Sequence, residues 1–254
     1  MDSLPATNGD SIGLTDWQML KVIAAHSSIA LILPFALYLY FDYLAFLALG
    51  PGGTPSNVAG FLKIKFLSLL AVSNLYEPLA IPKSRKDASG YLGDLPERSG
   101  SRPETRGIAP HRQVTQKASK AVVNEIKDAI ESLAVCDDRL LTGVSCLEKH
   151  GLALFRGSCT RDSEICHLHN TEGSIHIGLH PNDARTVLQR GWGERHPLAR
   201  GGWCERFVSA SFVLVYAPQN ETEIDLVMSI VQAGARYQVC NASGSDASRA
   251  RKGG

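Results

Sequence analysis

The chain has 254 residues, 44% of them hydrophobic and 20% charged, with a formal net charge of +1. These proportions exclude a collagen-like repeat, a disulfide scaffold, a polytopic membrane protein and a wholly disordered chain. The near-neutral balance removes the electrostatic basis for a nucleic-acid partner, and the length fits one large domain or two small ones.

Residues 1–21 form an N-terminal flank. Residues 22–41, Val22 to Phe41, contain no Asp, Glu, Lys or Arg. At ~1.5 Å per residue, such a run crosses the hydrocarbon core as a helix. Lys21 and Asp42 bracket it, and Trp17, Tyr38, Tyr40 and Tyr43 place aromatic rings near its ends, as interfacial anchors do. Pro34 is tolerated in a membrane helix. Asp2, Asp10 and Asp16 precede the run where a signal peptide would be basic, so the reading is an uncleaved transmembrane anchor. The competing reading is a buried core helix.

A second apolar stretch, 54–76, begins with Thr54-Pro55-Ser56 and carries Lys63 and Lys65. Two central lysines are costly in a lone span, whereas their stems can snorkel from a helix lying in the interface or packed on the protein. Lys63, Lys65, Lys83, Arg85 and Lys86 follow the anchor and only Lys21 immediately precedes it. The positive-inside rule then gives a single-pass protein with its C-terminal domain in the cytosol, the endoplasmic reticulum being a candidate membrane. Membrane lipid is thereby an expected partner. The cysteines (136, 146, 159, 166, 204 and 240) form no CxxC pair, which fits a reducing compartment. Two glycosylation sequons, at Asn220 and Asn241, make the orientation testable.

Residues 82–113 are rich in Pro, Gly, Ser and Arg and read as an irregular connector, its basic residues solvated near lipid headgroups and its Gly93-Asp94-Leu95-Pro96 run able to order against the domain. Residues 114–240 read as an α+β domain with a mainly antiparallel sheet packed with helices. Val122, Ile126, Ala129, Ile130 and Leu133 give Thr115 to Val135 the period of an amphipathic helix. Strands are expected at Gly151 to Arg156, at His167 to His169 and at Ser174 to His180, the last two around the turn 170–173. Pro181 opens a short helix that stops at Gly191. Val208 to Tyr216 is an apolar strand. Asn220 and Glu223 cap a last helix reaching about Ala235, and 241–254 reads as a disordered tail.

Five of the eight histidines lie between positions 167 and 196. Residues two apart on a strand share a face, so His167 and His169 point the same way. If 170–173 is a four-residue turn, His176 faces His167 and all three imidazoles share one face; a three-residue turn would throw His176 to the other. Three converging imidazoles suit a divalent transition metal, or metal-free work as general base and hydrogen-bond donors to an acidic enol or phenol. A set of buried structural histidines is the plain alternative. His180 shares the parity but lies farther from the turn, where a structural role is as natural. In Gly191-Trp-Gly-Glu-Arg-His-Pro-Leu-Ala199, Arg195 can hold a carboxylate or enolate and His196 can shuttle a proton, with Trp192, Glu194 and Tyr216 as substrate-binding candidates. Trp192 plugging the core and a Glu194–Arg195 ion pair are the structural alternatives. Cys166 and His167 fall on opposite faces, which argues against a Cys–His nucleophile pair.

These residues resemble the fungal luciferase family. The similarity is carried by the N-terminal anchor, Phe41-Asp-Tyr-Leu-Ala-Phe-Leu with Gly50-Pro51, Leu92-Gly-Asp-Leu-Pro with Arg102-Pro103, His167-x-His169 plus His176, the Gly191 to Ala199 run, and Tyr216-Ala-Pro-x-Asn220. The resemblance implies an oxygenase that adds O2, as co-substrate, to 3-hydroxyhispidin. The substrate is an α-pyrone; an endoperoxide then loses CO2 to leave excited caffeylpyruvate, and no organic cofactor takes part. On that reading His167, His169, His176, His196 and Arg195 are the catalytic set, with metal occupancy open. A metal-dependent hydrolase or lyase using the same histidines, and a non-luminous membrane-tethered homologue that only binds its small molecule, are the alternatives.

Overall fold

The computed structural model describes residues 12–78 and 89–250, so the flank 1–11, the basic cluster at 83–86 and the last four residues lie outside the described residues. The chain divides into two units at Ala48/Leu49.

The first unit is one helix, α1 (Ile12–Ala48), longer at both ends than the uncharged run. Its 37 residues span ~55 Å at 1.5 Å each, more than a ~30 Å hydrocarbon core needs. Within it Asp16–Ala48 is long and apolar enough to cross a membrane, with a mean hydropathy of 2.0. Pro34 sits inside the helix, and large apolar side chains such as Leu31, Phe35 and Phe41 are exposed.

The second unit opens with α2 (Val58–Ser68), capped by Asn57, whose side chain accepts from Gly60 N at 2.9 Å. Phe61, Ile64 and Leu67 are buried at helical spacing, so this stretch is a packed helix shorter than 54–76. The connector departs most from expectation. Residues 89–113 form a strap tied to the domain at several points. Asp183 accepts from the backbone N–H groups of Tyr91 and Leu92, and Leu95 is 1% exposed. Arg102 donates to the carbonyls of Leu188 and Gly193. The strap ends in a two-stranded ribbon, β1 (Thr105–Gly107) and β2 (His111–Gln113). Three-residue strands have too few positions to show a period, and long-range hydrogen bonds hold them in place.

Six further strands make an antiparallel sheet: β3 (Leu140–Val144), β4 (Leu152–Arg156), β5 (Glu164–Leu168), β6 (Ile175–Gly178), β7 (Gly193–Arg195) and β8 (Phe212–Val215). The spatial order is β3-β4-β5-β6-β8-β7. Three helices accompany it: α3 (Lys120–Cys136), α4 (Pro181–Gln189) and α5 (Glu221–Ala250). The α+β class with a mainly antiparallel sheet therefore stands. Cys166, Leu168, Ile175, Ile177, Val213 and Val215 belong to one core with Ile126 and Ile130 of α3 and Val227 and Val231 of α5. Each such aliphatic side chain fully buried stabilises by roughly 1.5–3 kcal/mol.

Several boundaries differ from the sequence expectation. Gly193 to Arg195 is an edge strand paired to β8, not a loop. The strand expected from Val208 begins only at Phe212, after a 3-10 turn over Gly202–Arg206. The last helix runs to Ala250 instead of stopping near Ala235, so 241–250 is helical and not a disordered tail. That segment has no proline, and extending a formed helix costs far less than nucleating one.

Candidate active site

The β5–β6 turn decides the geometry. His169 N bonds to Ser174 O, and Gly173 has φ +82°, a left-handed conformation that glycine takes without strain. The turn is four residues long, and His167 pairs with His176. The same rung continues across the sheet, because His176 pairs with Leu214 and Leu214 with Glu194. Paired residues share a face, so His167, His176, Leu214 and Glu194 point away from the α3/α5 core.

Two more imidazoles reach this face. His196 follows β7, and His111 comes from β2, more than fifty residues before the hairpin. His111, His167, His169, His176 and His196 are all buried, at 1–6% exposure. Ring centroids separate by 4.7 Å for His169–His176, 5.1 Å for His167–His176, 5.2 Å for His176–His196 and 5.4 Å for His111–His176. Phe212 stacks on His176 at 5.4 Å.

Carboxylates orient the rings from behind. His167 Nδ1 donates to Glu164 at 2.7 Å and His111 Nε2 to Glu194 at 3.0 Å, while His169 Nδ1 bonds Ser174 Oγ at 2.9 Å with the Glu172 carboxylate also 2.9 Å away. Glu194 also accepts from Thr105 at 2.5 Å and Tyr216 at 2.9 Å. Glu148 is held by the guanidinium of Arg112. Burial alone would raise the pKa of Glu148, Glu164 and Glu194, but their donors outweigh it and hold all three below the usual range. Burial raises Glu172. Burial, reinforced by charged neighbours, pushes His169, His176 and His196 well below the ordinary imidazole value. These rings are therefore neutral and able to accept a proton or ligate a cation.

A cavity of about 670 Å³ opens onto this set, touching Glu148, His167, His176 and His196. Leu67 of α2, Ile108, Leu198, Val208 and Phe212 supply apolar wall, while Lys63, Lys149, Arg161 and Arg206 supply four cations. The volume is that of an ordinary small-molecule site.

Other sequence candidates lie elsewhere. Arg195 is not brought to the histidines; its guanidinium donates to the carbonyls of Glu77 and Ala199, since strand parity turns it from the face that carries Glu194. It therefore makes no local ion pair with Glu194. Trp192 is 2% exposed, lies in the hydrophobic core and donates Nε1–H to Pro96 O at 2.7 Å, so it fills the core rather than walling the cavity. Tyr216 and Glu194 reach the site through His111 and do not line the cavity. His180 caps α4, accepting from Asn182 N. His111, Glu148, Glu164 and Glu172 were not foreseen. The one available signal for them was their residue type, because the connector and the loop at 145–150 carry no periodicity.

The Luciferase domain family matches residues 162–234. The luciferase of Armillaria ostoyae is 30% identical over 228 residues, covering 82% of this chain and 84% of that protein. That of Neonothopanus nambi is 29% identical over 225 residues, 80% of this chain and 82% of its own, and that of Armillaria mellea 29% over 245 residues, 89% and 90%. No solved structure matches.

Proposed function

This chain belongs to the fungal luciferase family, and from that premise we propose that it is a membrane-anchored oxygenase adding O2 to an enolic α-pyrone such as 3-hydroxyhispidin. The observation that carries the reading is the composition of the cavity. Imidazoles line its inner part and four cations its wall, while Glu148, the only acid lining it among the described residues, is already paired to Arg112. Such a site favours a small organic acid that ionises on binding.

His196, which faces the cavity, takes the enol proton, which raises the electron density of the pyrone ring toward O2. The cations of the wall hold the enolate and the oxyanion formed as the peroxide bridge opens. The bridge releases CO2, so both atoms of O2 remain between the organic product and CO2, and no external reductant is consumed. Leu198, Val208 and Phe212 keep water from the product, which favours emission over quenching.

The anchoring rests on α1 and on α2. Beside its buried face, α2 exposes Val58, Leu62 and Phe66 at 58–65%. This stripe at helical spacing suits an interface. The domain then faces the cytosol.

The test supplies 3-hydroxyhispidin to membranes containing the full chain and follows O2 uptake and light together. Uptake, with or without emission, is expected. Saturable binding of the pyrone with neither signal would sink catalysis on this substrate and leave a binding protein.

A further inference from the structure

The buried histidines pose a proton-counting problem. His167 Nδ1 lies 2.7 Å from Glu164 and His111 Nε2 lies 3.0 Å from Glu194. An ionised carboxylate has no proton to give, so each ring carries its proton on that side. In the neutral form of these rings the opposite nitrogens, His167 Nε2 and His111 Nδ1, are lone pairs. His176 stands between them, with Nδ1 at 3.1 Å from the first and Nε2 at 3.2 Å from the second. A neutral imidazole has one proton and satisfies one of these contacts. The other brings two lone pairs face to face. The chain Glu164–His167–His176–His111–Glu194 thus needs one further positive charge, a second proton on one of its three imidazoles or a bound cation.

His169 separates the two options. Its Nδ1 is engaged by Glu172 and Ser174, each at 2.9 Å, while its Nε2 is buried with no hydrogen-bond partner. An extra proton on any of those three rings would leave this third lone pair orphaned, which native interiors rarely allow. A cation satisfies all three. Glu148 completes the set: Arg112 holds one of its oxygens, and the other, Oε1, lies 3.9 Å from His167 Nε2.

We propose that Glu148, His167, His169 and His176 bind one divalent first-row transition-metal ion. The ligand atoms lie within 4.8 Å of one another. Two ligands each ~2.1 Å from an ion lie ~3.4 Å apart in a tetrahedral set and ~4.2 Å apart when trans, so any pair closes by at most about 1.4 Å, which small side-chain rotations supply. With Nδ1 of His176 on the ion, its proton sits on Nε2 and donates to His111 Nδ1. Every contact in the chain is then satisfied. The second trio within ligating distance, His111, His176 and His196, is left without the ion by the same count.

Three imidazoles and one carboxylate suit Zn, Fe, Co, Ni or Mn, while calcium and magnesium prefer all-oxygen ligands. Glu164 and Glu172 behind His167 and His169 fix ring orientation, as carboxylates behind metal-bound histidines commonly do. Glu148, His167 and His176 also line the cavity, so a free coordination position would face the substrate. Binding of the ion stands apart from the oxygenase reading; its use in turnover rests on that reading.

The full chain, purified in detergent without a polyhistidine tag, is assayed for metal content, then stripped with chelator and titrated with Co2+ alone while visible absorption is followed. About one ion per chain and saturable ligand-field bands are expected. His169→Ala should weaken Co2+ binding at least ~100-fold and Glu172→Gln ~10–100-fold, with far-UV circular dichroism showing both folded. His180→Asn, which keeps the α4 cap, should bind like the parent. Folded parent protein taking up no Co2+, or His169→Ala binding as the parent does, overturns the site and leaves a doubly protonated imidazole in the chain. O2 uptake by metal-free protein would remove the ion from turnover and leave the oxygenase standing. Co2+ binding without pyrone turnover would do the reverse.

Discussion

Glu194 sits on the edge strand with no exposed surface, yet its carboxylate ties three segments together: Thr105 of β1, His111 of β2 and Tyr216 just after β8. Glu194→Ala strands three donors at once, the buried His111 and Tyr216 and the half-buried Thr105. At about 1–3 kcal/mol for each buried donor left unsatisfied, the loss is at least ~2–6 kcal/mol, a large part of the ~5–15 kcal/mol that holds an ordinary domain. Glu194→Gln is the informative variant. Its carbonyl still accepts from Thr105 and His111, and its amide N–H can donate to the Tyr216 oxygen, so only the charge assistance is lost, about 1–3 kcal/mol. For a domain of this size that is a fall of roughly 3–10 °C in Tm. Urea denaturation of the full chain in detergent, followed by near-UV circular dichroism, measures both variants. Tyr216→Phe should cost ~1 kcal/mol, and combined with Glu194→Gln should be less than additive by several tenths. An alanine variant within ~1 kcal/mol of the parent would show that this carboxylate does not join the strap to the sheet.

Three further outcomes follow from the packing. Trp192→Ala removes a core side chain and its bond to Pro96, so ~3–5 kcal/mol of stability is lost, while the folded fraction keeps its KM; a raised KM with unchanged stability would return Trp192 to the cavity wall. Gly173→Ala forces a Cβ to 2.7 Å from Ala118 at φ +82°, so thermal melting should fall and Co2+ binding weaken together; an unchanged Tm would refute the turn geometry. Burial pushes the Cys166 thiol up to about 12, so in folded protein it should resist maleimide at pH 8 while exposed Cys136 and Cys146 label. Because that folded value lies above the unfolded one, its contribution to stability is complete below about pH 9 and is lost as pH rises through about 12. Equal labelling of all three at pH 8 in folded protein would contradict this burial.

The hairpin was legible because its information is local. Strand parity and a turn ending in glycine fix where His167, His169 and His176 point. His111 was not legible, because β2 has three residues and its position is set by Glu194 and His176, 83 and 65 residues away. Glu148 lies in a loop whose conformation is held by Ser145 and Arg112, which no spacing rule announces. Arg195 was assigned by its chemistry alone, whereas its parity within β7, once that strand is known, turns it toward main-chain carbonyls. His180 shows the converse: its parity matches the site, but Pro181 after it makes it a helix cap.

The strap has a consequence for how the active unit is acquired during folding. The segment matched by the Luciferase domain family, 162–234, contains four of the five clustered histidines but neither His111 nor Glu148. The hairpin can zip early, since it closes a turn of four residues. Docking His111 must close a much longer loop, and the chain entropy of that closure is recovered only when Glu194, Thr105 and Tyr216 lock together. Folding order therefore runs from the β5–β6 hairpin outward and ends at the strap. A fragment cut at residue 114 would retain most of the histidines and lack the step that finishes the site.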